Sequence, residues 1–308
     1  VGLGCGVRGS RRSAELNAYL QDVGTGSVVV VGRDFPDPAP EEAVEPKSFR
    51  QLAQTHVVKG ASLAALGAGQ LLIRGGKRAA NRRFLPGRAR ATVHPQGFEW
   101  ERLRAPVLAE DFQEIRARLA AAPPASLRPR RLTEDFHVCR IAGVESVQFD
   151  PVQQAVVATL HDTAGGIALL WHPYSTRGKE GSESLLAALH SRAEQVVFAA
   201  GRVCLRFSDL VLLPTCLVLD EAGARTAIQP WIEAFAAGTN GSAHMELVAP
   251  SDEPADPVGD YPGQLLEGLG ELLLCGLRDI DASWIRQWRE MARLGRAAGL
   301  TRLAGLTD

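Results

Sequence analysis

The sequence predicts an α+β, strand-rich protein with two small antiparallel β units and a C-terminal helical pair. Three observations predict it. Short β-branched and leucine runs such as "SVVVV", "QLLIR" and "QAVVATLH" are punctuated by Gly, Asp and Pro turn chemistry. Helical periodicity over a useful length is confined to 112–119 and to the residues after 262. A proline-rich acidic stretch separates that last segment from the rest.

The chain opens "VGLGCGVRGS", in which Gly4, Gly6 and Gly9 form G-x-G-x-x-G. Two readings compete. In the first, this is the phosphate loop of an NAD(P)-linked oxidoreductase. That reading needs a strand before the glycines and a helix beginning at the last one. "SRRSAELNAYL" has adequate helix propensity, and Asp34 sits at about the ribose-binding distance. Yet three residues precede Gly4, and "FPDPAPEEAVEP" after Asp34 is a loop rather than a crossover helix. In the second, "AYLQ" and "SVVVV" form a hairpin around "DVGTG", with the glycines as a flexible lead-in. The second is the expectation here.

After that loop the sequence predicts a short helix near 63–66 and strands at 70–74 and 89–93, closing a small OB-like barrel over 1–105. A bridging helix occupies 106–125. Phe112, Ile115 and Leu119 share its apolar face, and Pro123 and Pro124 stop it. Residues 126–248 read as an antiparallel meander. "VESVQF", "QAVVATLH" and "IALLWH" are its strands, "EQVVFAAGRVCLRF" a hairpin around Ala200-Gly201, and "LVLLPTCLVLDE" a strand interrupted by Pro214. Residues 249–262 form a linker, with four prolines and four acids from Pro250 to Pro262. Residues 263–308 form the helical hairpin, with Leu265, Leu269, Leu272, Leu273 and Ile280 on one stripe and Trp284, Trp288 and Met291 on the next.

The composition narrows the function. The formal net charge is -1 over 308 residues, so no global field draws the chain to nucleic acid or membrane. No apolar run approaches the ~18 residues of a membrane span, and no charged leader precedes an apolar stretch. These features predict a cytoplasmic chain without membrane contact. The initial Val1 fits an internal piece, a processed product or a non-standard start, and membership of a larger polypeptide or complex is one expectation. The five cysteines (Cys5, Cys139, Cys204, Cys216 and Cys275) are widely spaced and contain no C-x-x-C pair. They predict buried free thiols and no metal or cofactor.

Charge is concentrated locally. Arg74, Lys77, Arg78, Arg82, Arg83, Arg88 and Arg90 fall within 17 residues that contain no acid. Phe84 lies inside the run and Phe98 and Trp100 lie close by; Arg128, Arg130 and Arg131 add a second cluster. Arginines neutralise phosphates and rings stack on bases, so this segment is the candidate site for single-stranded nucleic acid or an acidic protein partner. Docking of the run on the acidic loops 34–45 or 252–260 is the plainer alternative. A hydrolase around His137 and His172 is a further alternative. His137 and Cys139 alternate at strand spacing and share a face, but no spacing supplies a ligand set or a nucleophile couple. His161-Asp162 reads as turn chemistry, and "WHPYSTRGKEGSES" as a loop leading into a helix.

"AYLQDVGTGSVVVVGRDF", "GASLAALGAGQLLIRGGKRAANRRFLPG" and "GLRDIDASWIRQWREMARLGRAAGLTRLAGL" resemble the region outside the zinc finger in large bacterial SWIM zinc-finger proteins. The resemblance covers most of the chain loosely, and the defining C-x-C…C-x-H finger is absent. It implies a non-enzymatic protein that binds nucleic acid or protein, and it carries over no site residue.

Overall fold

The computed structural model describes residues 1–9, 13–36, 46–94, 98–123, 128, 131–206, 209–221, 223–233 and 282–297, with 265, 269, 299, 301 and 305 as single positions. Val1–Ala122 together with Pro129–Pro250 form one compact unit; Pro123–Arg128 with Ser251–Asp308 form another.

The first unit begins with an antiparallel sheet of β1 (Gly2–Gly9), β2 (Ser13–Gln21) and β3 (Val28–Pro36). The expected hairpin is present: Gln21 pairs with Val28, and Asp22 Oδ1 accepts from the Gly24 amide in the turn. The opening glycines are a correction. They are not a flexible lead-in but a strand, while the strand expected at "AYLQ" runs over "SAELNAYLQ" as the central strand of this sheet. Pairing on both edges of β2 overrides its local helix propensity. A phosphate loop needs a helix at Gly9, and β1 runs instead into an antiparallel partner.

The chain then builds small elements on one face of this sheet. These are α1 (Phe49–Ala53), β4 (His56–Val58), β5 (Ala61–Ser62) and α2 (Leu63–Ala68). Four short strands follow: β6 (Leu71–Arg74), β7 (Lys77–Arg78), β8 (Phe84–Leu85) and β9 (Arg90–Val93). Strand β6 pairs with β9 and β7 with β8, giving two two-stranded ribbons. A capping box at Ser48 and Gln51 starts α1, and the Ser62 hydroxyl caps α2. Leu16, Leu20, Val29, Val31, Leu63 and Leu66 form the core between this layer and the sheet.

The second sheet has eight strands. They are β10 (Leu108–Ala109), β11 (Phe136–Arg140), β12 (Gly143–Asp150), β13 (Ala155–His161), β14 (Ile167–Pro173), β15 (Val196–Arg206), β16 (Asp209–Glu221) and β17 (Ala224–Ile228). Their order is β10-β11-β15-β16-β14-β13-β12, with β17 also paired to β16. Pairing is antiparallel apart from β10 with β11 and β14 with β16. The α+β, strand-rich class is therefore as the sequence predicts.

Two details correct the sequence reading. The run "VVFAAGRVCLR" is one continuous strand, not a hairpin, and Pro214 does not interrupt β16. Gly201 lies opposite Pro214 where the register shifts. A bulge tolerates the missing proline donor, and a Cβ on Gly201 would stand 2.1 Å from the Leu213 carbonyl oxygen.

Helices α3 (Phe112–Ala121) and α4 (Lys179–Arg192) cover one face of this sheet through Phe112, Ile115, Leu185 and Leu189. Two carboxylates start α3. Asp111 accepts from the Gln113 and Glu114 amides, while Asp162, in the β13–β14 turn, accepts from the Phe112 amide at 2.6 Å. Asp162 also accepts from Ala164 and Gly166, so turn and helix are held by one buried side chain.

The first sheet packs on the opposite face of the second. Leu3, Tyr19, Val30, Phe136, Val138, Phe198, Cys216 and Val218 form that core, with Tyr19 stacked on Phe136 at 4.4 Å between centroids. Contact is closest at β1 and β16. Gly4 has φ +95°, and a Cβ there would lie 2.2 Å from the Thr215 carbonyl oxygen. Thr215 Oγ1 bridges the sheets, reaching the Leu3 and Ala200 carbonyls at 2.9 and 3.1 Å.

In the other unit, α5 (Ala282–Ala297) is described, and Leu265, Leu269, Trp288 and Met291 cluster together. The predicted linker, most of the first helix of the pair, Leu272, Leu273, Ile280 and the side chain of Trp284 lie outside the described residues.

Gly4→Ala should lower unfolding stability by roughly 2–5 kcal/mol, from overpacking plus backbone strain. Gly165 shares the left-handed geometry, with φ +84°, but nothing stands within 4 Å of a Cβ there. Gly165→Ala should cost only about 1 kcal/mol. Urea unfolding of both variants separates crowding from strain.

Candidate nucleic-acid interface

The basic run divides when folded. Arg78 pairs with Asp22, and that hydrogen bond holds the Asp22 carboxyl down at about 2. Arg83 pairs with Glu15 at 3.2 Å and donates to the Gly32 carbonyl, while the Val30 amide bonds the Arg82 carbonyl. These arginines fasten the β7–β8 ribbon to the first sheet. Their acids come from β2 and its turn; residues 37–45 and 252–260 of the acidic loops lie outside the described residues.

Arg74, Lys77, Arg88 and Arg90 stay exposed, and among the described residues none has an ion pair. Phe84 turns its ring onto Gly76, where a Cβ would stand 2.4 Å away. Trp100 is buried and stacks on Phe198 at 6.1 Å; Phe98 packs against the same core. The rings near the run therefore serve the core, and none of them is an open stacking platform on the ribbons.

A ring and arginines do meet elsewhere. In β13 and β14, Ala158, Leu160, Ala168 and Leu170 are buried on the helix-covered face, while Val157, Thr159, Leu169 and Trp171 are half-buried on the other. Thr159 lies opposite Leu169, Leu169 opposite Val211, and Val211 opposite Cys204. Arg202, Cys204 and Arg206 thus share this face with Trp171. The Arg206 guanidinium sits 4.3 Å from the centroid of the Trp171 ring. The indole N–H donates to Gln153 at 3.1 Å, which fixes the ring. Burial pushes the Cys204 thiol up, although Arg206 and Arg202 pull it down.

A line of arginines joins this face to the ribbon. Arg202 lies opposite Phe136, on which Tyr19 stacks. Burial pushes the Tyr19 phenol up, against the opposing fields of Arg8 and Arg202. Arg8 is the β-sheet partner of Glu15, and Glu15 binds Arg83. The sequence contains this line as Arg8, Arg83, Arg202 and Arg206. Only Arg83 was visible as a candidate, because the others are separated along the chain and meet through sheet register.

His137 and His172 do not form a site. Strands β15 and β16 stand between their strands, so three strand spacings of about 4.8 Å separate them. Both are buried. His137 Nε2 meets the Arg118 guanidinium at 2.5 Å, and His172 packs edge-on against Trp231. Among the described residues no three His, Cys, Asp or Glu side chains converge as a metal set. No helix among them is long and apolar enough to cross a membrane.

Residues 133–254 match the family model of the YehQ C-terminal OB-fold domain. That span contains the Trp171–Arg206 face, and it lies on the second β unit rather than on the first. No curated protein matches the chain, and no solved structure does.

Burial pushes His172 down to about 3; burial, then Arg118, pushes His137 down to about 4. Both are neutral when folded and take a proton below about 6.5 when unfolded. Stability should be intact above pH ~6.5 and should fall as pH drops toward 4. Urea midpoints across that range should show this fall, and His172→Leu should flatten it.

Proposed function

We propose that the chain is a binding protein, not an enzyme, and that it holds single-stranded nucleic acid. The strand lies on the Trp171 face of the second sheet and continues along the arginine line toward the β7–β8 ribbon. The observation that carries this reading is the Arg206 guanidinium over the Trp171 ring on a half-buried sheet face. A guanidinium held over a fixed indole presents a stacking surface to a base, and its N–H groups reach phosphate. Arg202, Arg8 and Arg83 extend the positive line, supplying sequence-independent attraction that salt weakens. The match to an OB-fold domain supports the reading, because that fold presents a sheet face to oligonucleotides. An acidic protein surface could use the same arginines, but it would gain nothing from the ring.

Fluorescence anisotropy with labelled single-stranded DNA and RNA tests this at low and physiological salt. Binding should weaken steeply as salt rises. Trp171→Ala should lower affinity about tenfold, within the range for loss of one stacked base. An Arg202→Glu/Arg206→Glu variant should not bind. Absence of binding at low salt, or equal affinity for duplex, would overturn the reading.

A further inference from the structure

The β6–β9 ribbon is left out of that track, and its surface has a different chemistry. Leu71, Ile73 and Ala91 face the core, so Leu72, Arg74, Arg90 and Thr92 occupy the outward face. Arg74 lies directly opposite Arg90. Like charges directly opposite destabilise an antiparallel pair, and no acid of the ribbon relieves them, since residues 71–93 contain none. Leu72 is 57% exposed on this face. An aliphatic side chain therefore stands beside the cations, with no ring among them.

The edges of this ribbon differ. Strand β9 is backed by Lys59, whose carbonyl accepts from the Ala91 amide at 2.9 Å. Among the described residues, no strand pairs with the outer edge of β6. An open edge offers backbone N–H and C=O groups to another extended chain. A nucleic acid strand has no alternating amide donors and acceptors with which to pair along that edge.

We propose that the outer edge of β6 takes an extended acidic peptide from a partner protein by strand addition. Backbone pairing to Leu71–Arg74 sets the register. On one face of the added strand, a carboxylate beside Arg74 meets the Arg74–Arg90 pair, and an aliphatic side chain two residues away covers Leu72. Charge complementarity selects the peptide and the edge orients it. The site is distinct from the Trp171 face.

The test uses the full chain and a short labelled peptide of repeating Glu-Thr-Val-Thr, which puts Glu and Val in turn on one face of an extended strand. A second peptide carries N-methyl groups on every other amide, which removes one pairing edge without changing charge. The unmodified peptide should bind, the N-methylated one at least about tenfold more weakly, and an Arg74→Glu/Arg90→Glu variant not measurably. Both positions are exposed, so the variant's melting temperature should match the parent's. Equal binding of the two peptides would overturn the proposal by showing a charge effect alone, and no binding would overturn it outright. An oligonucleotide that displaces the peptide and itself loses affinity in the double variant would also overturn it, and would make the Arg74–Arg90 pair a nucleic-acid contact.

Discussion

The contact on which the rest of the first unit depends is the approach of β1 to β16 at Gly4 and Thr215. There is no room for a side chain between them. The backbone at Gly4 takes a left-handed φ, and the Thr215 hydroxyl reaches a carbonyl on each sheet. On its other side β1 lies against α2, where a Cβ on Gly2 would stand 2.4 Å from the Leu66 carbonyl oxygen. The glycines that resemble a phosphate loop thus serve close packing. The same contact brings Tyr19 over Phe136, and with it Arg8 toward Arg202.

Charge is then divided between structure and surface. Glu15 and Asp22 each hold an arginine of the β7–β8 ribbon, which fastens a loop that contains no acid of its own. Exposed pairs of this kind add little stability singly. Their larger effect is orientation, since they leave Arg74, Lys77, Arg88 and Arg90 facing outward. A basic run read along the chain as one patch becomes an anchored ribbon, an exposed β6–β9 face and one end of an arginine line.

Much of the second sheet was legible in the sequence. Strands β12, β13 and β14 follow from β-rich runs and short turns, and Asp162 accepts three amides where turn chemistry placed it. The β2–β3 hairpin was equally readable. Strand β1 was not, because glycine-rich segments lack strand propensity and its pairing is imposed by what lies on either side. Strands β15 and β16 were misread for a related reason. Gly201 and Pro214 are turn residues locally, and only their cross-strand alignment makes them a bulge. The Trp171–Arg206 pair had a partial signal. Alternation in "IALLWHP" places Leu169 and Trp171 on one face, but nothing in the sequence aligns β15 beside it.

The most direct test of this account is photocrosslinking of the protein to single-stranded RNA containing 4-thiouridine, followed by identification of the crosslinked peptides. The account predicts crosslinks in β14 and β15, around Trp171 and 202–206, with a second group near Arg82 and Arg83. Crosslinks confined to β6 and β9 would contradict it, because the strand would then lie on the ribbon and not across the joined sheets.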